Sequence, residues 1–254
     1  MSGPVQMQSP MKLGLGLAEH ALDALVLFAG SGDRQRVQVG EAAVEQGEHE
    51  CRVRGIEQLL LDMHEDQEFA RGIMDAVTEA VLAPWILYQK RCFPGATRIS
   101  GADATASPPI VNLPVLRDWV IPSIQRLRER CGPEVYVANW AGERYLPHPA
   151  EMLELKLAVG PGALWGQDPD VENLGPNVFK EFAVAHHVPV ILGVGAAFLA
   201  RATPGEVEAR VREYVEVGGR GGHFALYLCN VGATTPPANL RAAVETAHAV
   251  RPRP

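Results

Sequence analysis

Residues 187–230 read HVPVILGVGAAFLARATPGEVEARVREYVEVGGRGGHFALYLCN, and this stretch decides the fold. The apolar run Pro189 to Val194 has the length and composition of a buried strand. A helix follows over Pro204 to Val217. Thr203 stands at its cap, Pro204 in its first turn, and Glu206, three residues after Thr203, completes a capping box. Gly218-Gly-Arg-Gly-Gly222 has the composition of a phosphate loop, but it precedes a strand instead of opening a helix and therefore reads as a turn. A second apolar run, Phe224 to Leu228, closes the unit. Strand, helix, strand in this order implies parallel strands joined by a helical crossover.

The same rhythm extends upstream. Further apolar runs lie at Thr97 to Ala102, Val135 to Ala138 and Ala163 to Gly166. Helical patterns lie between them at Leu116 to Arg130, Pro149 to Val159 and Val178 to His186, and a last helix runs from Thr235 to about Val250. From Gly55 to Arg91 apolar residues recur at helical spacing, with Pro84 marking a kink or break, which predicts a helix pair or one bent helix. The runs end at Asp103, Asn139, Asp168, Gly193 and Cys229, whereas their starts carry little chemistry. Polar residues gathered at one end of parallel strands are the pattern of a barrel's catalytic face, so the expected fold is α/β, a TIM-type (β/α) barrel. The plain alternative is that each of these is a loop residue following a strand.

Composition sets the outer bounds. The 254 residues are 47% hydrophobic and 21% charged, which suits one globular domain. Residues 1–15 read as a loose leader, and 16–254 as a single domain. A net charge of −7 without a basic cluster argues against nucleic acid and against anionic membranes as partners. Cys51, Cys92, Cys131 and Cys229 form no Cys-x-x-Cys pair, so neither a disulfide framework nor a structural zinc module is expected. The N-terminus makes a poor signal peptide, and the longest apolar stretch, Val188 to Ala200, is too short to span a bilayer. These features lead to the expectation of a cytoplasmic protein.

Three segments give the chain a resemblance to the uroporphyrinogen decarboxylase superfamily. The first is Gly55-Ile-Glu-Gln-Leu-Leu-Leu-Asp62 followed by Phe69 to Thr78. The second is Gly101-Ala-Asp-Ala-Thr-Ala-Ser107 leading into Leu116-Arg-Asp-Trp-Val-Ile-Pro122. The third and most specific comprises Gly193-Val-Gly195, Ala202-Thr-Pro-Gly-Glu-Val207, Gly218 to Cys229 and Thr235-Pro-Pro-Ala-Asn239. Together they cover roughly residues 50 to 250. The pattern is most similar to the branch of methylcobalamin:coenzyme M methyltransferases and related corrinoid-dependent enzymes. Before Gly30 about two strand-helix units of the family have no counterpart, so the resemblance implies a shortened barrel, one that would expose sheet edges and pair with another chain or a second copy.

The resemblance also implies a site. That branch holds zinc with a His-x-Cys pair and a later Cys, which lowers the pKa of an acceptor thiol. Cys229 matches the last ligand, but the pair falls on Asn139-Trp140-Ala141, which lacks imidazole and thiolate, so zinc is not expected. The residues implied for catalysis are Asp103, Asn139 and Cys229. Those implied for substrate or cofactor binding are Thr105, Ser107, Trp140, Gly142, Asp168, Gly193 and Asn230. Trp140 reads equally as core filling or as a wall against a flat macrocycle, and Cys229 as a small buried hydrophobe. His186-His187 reads as a helix-end pair rather than as ligands. The implied function is a corrinoid-linked methyltransferase without the standard zinc, with methylcorrinoid as substrate or as the cofactor of a partner corrinoid protein, and no tightly bound cofactor. The alternatives are a decarboxylase of porphyrin biosynthesis and a non-catalytic barrel that binds a tetrapyrrole or a partner.

Overall fold

A computed structural model describes residues 24–27, 54–95, 99–101, 106–137, 140–160 and 162–250. The strands are β1 (Ala24–Leu27), β2 (Ile99–Gly101), β3 (Val135–Val137), β4 (Leu164–Gln167), β5 (Val190–Val194) and β6 (Phe224–Cys229). The main helices are α1 (Ile56–Glu65), α2 (Gln67–Val77), α3 (Ala83–Cys92), α4 (Ile121–Cys131), α5 (Pro149–Val159), α6 (Asp170–Leu174), α7 (Pro176–Ala185), α8 (Ala196–Arg201), α9 (Pro204–Gly218) and α10 (Pro237–Ala249).

The strands form two ladders among the described residues. One has the order β1-β6-β5-β4 and the other pairs β2 with β3. β4, β5 and β6 run parallel, as do β2 and β3, in keeping with helical crossovers. β1 departs from the all-parallel expectation: it pairs antiparallel with β6, Ala24 opposite Cys229. Among the described residues β1 is thus an outer strand of this ladder.

Alternation assigns the faces. Leu164, Val190, Leu192, Val194, Leu226 and Leu228 point to one side of the main ladder and pack on α7, α9 and α10 through Phe179, Val211, Val215 and Ala243. Trp165, Gln167, Gly193, Tyr227 and Cys229 share the opposite side by the same alternation and register. A second core forms around Ile99, Val135 and Val137 with Ile86, Ile124 and Leu127, and Trp165 packs against it from β4.

Pro84 does not break its helix, which continues through it to Cys92. The turn before it widens to a π turn over Thr78–Leu82, in which Ala83 N–H bonds the Thr78 carbonyl. Pro122 is accommodated in the same way by Leu116–Val120. A proline ring clashes with the carbonyl four residues back and offers no N–H, and a widened turn relieves both problems. Within the helical stretch, Phe69 and Val81 face solvent although they fit the apolar spacing. The capping box of α9 is present in both directions: Thr203 accepts from Glu206 N–H, and the Glu206 side chain accepts from Thr203 N–H.

Candidate functional site at the strand ends

Gln167, Gly193 and Tyr227 lie side by side across β4, β5 and β6, set in one row by the ladder register. Gly193 sits in the middle. A Cβ there would stand 2.5 Å from Tyr227 Cζ and 2.6 Å from Cys229 Sγ. The absent side chain lets Tyr227 lie over β5, so that its hydroxyl donates to Gln167 Oε1 at 2.7 Å while the Cys229 thiol faces the same oxygen at 3.8 Å. The Tyr227 ring meets Trp165 edge to face at 5.3 Å between centroids. Burial pushes the Cys229 thiol up to about 12, so it is protonated at neutral pH and acts as a donor.

Asp168 follows immediately in sequence and points elsewhere. Its carboxylate accepts from Gly195 N–H and from the Arg210 guanidinium, each at 3.0 Å, and from the Tyr214 hydroxyl. Arg210 also holds Glu172 at 2.7 Å and lies over the Phe198 ring at 4.0 Å. Burial raises the Asp168 pKa, opposed by the Tyr214, Gly195 and Arg210 interactions. Burial beside Asp168 raises that of Tyr214, which stays a neutral donor.

The loops after successive strands are laced together. Ser107 Oγ accepts from Ala141 N–H at 3.1 Å, joining the segment after β2 to that after β3. Asp170 accepts from Gly142 N–H at 2.7 Å and from Arg144 at 2.8 Å, joining the segment after β3 to that after β4. Asp168 then reaches Gly195 beyond β5. Gly142 has φ 111°, and a side chain there would collide with the Pro108 carbonyl, so only glycine suits that turn. Lys156 and Glu143 form an almost fully buried ion pair beneath the loop. Among the described residues three cations here are matched: Arg144 by Asp170, Lys156 by Glu143, Arg210 by Asp168 and Glu172.

Of the residues implied by sequence, Gly193 and Cys229 meet in the Gln167–Tyr227 cluster, and Ser107 and Gly142 meet in the laced loops. Trp140 is 1% exposed and part of the second core, so it fills the interior and cannot stack on a macrocycle; its Nε1–H has no partner among the described residues. Asn230 is exposed with φ 45° at the turn after β6. Asp103, Thr105 and Asn139 lie outside the described residues. His186 caps the end of α7, stacked on Phe182 and 3.2 Å from Glu154. Sequence reasoning missed Gln167, Tyr227, Asp170, Tyr214 and Arg210. Only Tyr227 carried a signal, since alternation from Cys229 places it on the same face.

A family-type zinc site does not fit these residues. Cys229 faces Gln167, and in sequence neither Asn139 nor Ala141 offers an imidazole or a thiolate. Among the described residues no group of three or more His, Cys, Asp or Glu side chains is placed to hold a metal ion. No described helix is long and apolar enough to cross a membrane.

Residues 51–250 match the family model for uroporphyrinogen decarboxylase (URO-D). Among solved structures, a methyltransferase from Methanosarcina mazei superposes with a TM-score of 0.62 at 17% identity, over 81% of this chain and 56% of that one. This chain thus spans about half the length of that protein, and at this identity the likeness is one of fold. No curated protein matches.

Proposed function

This chain belongs to the uroporphyrinogen decarboxylase (URO-D) family, and from that premise we propose that it is a corrinoid-linked methyltransferase whose site is the strand-end face bearing Gln167, Tyr227 and Cys229. In this reading the two ladders are parts of one (β/α)-barrel wall. The observation that carries the reading is electrostatic. The face bears the neutral hydrogen-bonding groups of Gln167, Tyr227 and Cys229, and among the described residues Arg144, after β3, and Arg210, on α9, are already bound to carboxylates. Decarboxylation of a polyacidic porphyrinogen calls for cations free to bind its carboxylates and an acid to protonate the ring carbon. A methylcorrinoid, with its largely amide periphery, asks for neutral donors and acceptors instead.

The residues present would bind and orient the macrocycle and keep water from the transferring methyl group. A methylcorrinoid supplies that group as substrate or on a partner protein. Cys229 is too weakly acidic to act as the methyl acceptor at neutral pH, because the thiolate is the nucleophile. It serves here as a donor that fixes Gln167, and the acceptor comes from the second substrate.

The full chain incubated with methylcobinamide and a panel of small thiols and amines should discharge the methyl–cobalt absorbance faster than buffer, without added zinc. Release of carbon dioxide from uroporphyrinogen, with no methyl discharge, would overturn the assignment in favour of decarboxylation.

A further inference from the structure

The orientation of one amide carries a second, narrower conclusion, which rests on the corrinoid reading above. We infer that Gln167 selects the ligand by donating its side-chain N–H groups to an uncharged carbonyl oxygen, the oxygen of a peripheral carboxamide, and so discriminates against a ring bearing carboxylates.

Tyr227 and Cys229 both aim at one atom of Gln167, from 2.7 and 3.8 Å. Each carries a hydrogen, because the thiol is protonated well above neutral pH and the phenol is a donor. The structure turns the amide oxygen toward both, the orientation that lets each donate to it. The nitrogen, Nε2, is therefore turned away from both, and it has no hydrogen-bond partner among the described residues. Gln167 itself is half-buried, so the nitrogen remains open to a ligand.

Two N–H groups accept any oxygen, and the surroundings decide which kind. The next residue is Asp168, and Asp170 and Glu172 stand close behind it in sequence. Arg210 and Arg144 are spent on these three acids. A carboxylate brought to Gln167 would lose water and find Arg144 and Arg210 already committed among the described residues, whereas an amide carbonyl loses less on leaving water and gains the same hydrogen bonds. Gly193 makes this arrangement possible, since any larger residue would push Tyr227 off the oxygen of Gln167 and free the amide to rotate.

The test compares two probes with one ring: dicyanocobinamide, whose periphery is amide, and cobyrinic acid, which carries carboxylates at the same places. Each is titrated into the full chain and read by the absorbance of the corrin. The wild type should bind dicyanocobinamide at least tenfold more tightly. Gln167→Glu and Gln167→Met should each lose that preference, with far-ultraviolet circular dichroism showing that both variants are folded. Equal or tighter binding of cobyrinic acid to the wild type overturns the inference while leaving the corrinoid reading in place. So does a preference that survives in both variants. If neither corrinoid binds, the corrinoid reading falls and takes the inference with it.

Discussion

At Cys229 burial sets the chemistry. The thiol is pushed up to about 12 from an ordinary 9.0, so at pH 8 almost none of it is thiolate, the form that reacts. Native protein treated with iodoacetamide at pH 8 should be alkylated at exposed Cys92 and spared at Cys229, as read by peptide mass spectrometry; equal labelling of the two would contradict the buried, protonated state. The same shift has a consequence for stability. A folded-state pKa above the unfolded one means that the contribution is complete below about pH 9 and is lost as pH rises toward 12. Unfolding at alkaline pH should therefore be less steep with pH in Cys229→Ala than in the wild type.

At the scale of the element, α9 is the helix whose start is defined most completely. Its reciprocal cap satisfies two N–H groups that the helix cannot bond internally. Thr203→Ala should cost about 1 kcal/mol in urea denaturation. The hydrogen bonds from the Thr203 backbone and side chain hold the Glu206 carboxyl below its usual range. Its stabilisation is thus present above the ordinary glutamate value and is lost as pH falls through the lowered one. The gap between wild type and Thr203→Ala should narrow in acid for that reason; a gap that widens would contradict the geometry. The two π turns illustrate the converse case, where a proline reshapes the turn before it and the helix continues.

Across the molecule, the ion pair of Glu143 and Lys156 joins parts that are distant in the ladders. Glu143 lies in the loop after β3, Lys156 on α5, and the ammonium also donates to the Trp165 carbonyl in β4 at 3.1 Å. Burial raises the Glu143 pKa against the attraction of Lys156. Removing one partner leaves a charge in the interior, so Lys156→Met should destabilise by about 3 kcal/mol. The double variant Glu143→Leu with Lys156→Met should recover most of that loss, because an apolar pair of similar volume has no charge to desolvate. A double variant as unstable as the sum of the two singles would show that the pair has no coupling and that the loop is held in another way.

The sequence alone determined the alternation of strands and helices from Val135 onward, the capped start of α9 and the turn at Gly218 to Gly222. These follow from periodicity and from turn and cap residues acting within a few positions of one another. Through the resemblance it also implied that the family's His-x-Cys pair is replaced at Asn139 and Ala141. Tertiary structure decided the rest. Asp168 looks like a site residue in sequence, yet Arg210 and Tyr214, 42 and 46 positions away, occupy its carboxylate. Trp140 follows a strand like a site wall, yet it fills the second core. Gln167 shows nothing in sequence until β6 brings Tyr227 and Cys229, 60 and 62 positions on, to its oxygen. Hydrogen bonds over such separations depend on register and on the space left by a single glycine, and neither is written in any local pattern.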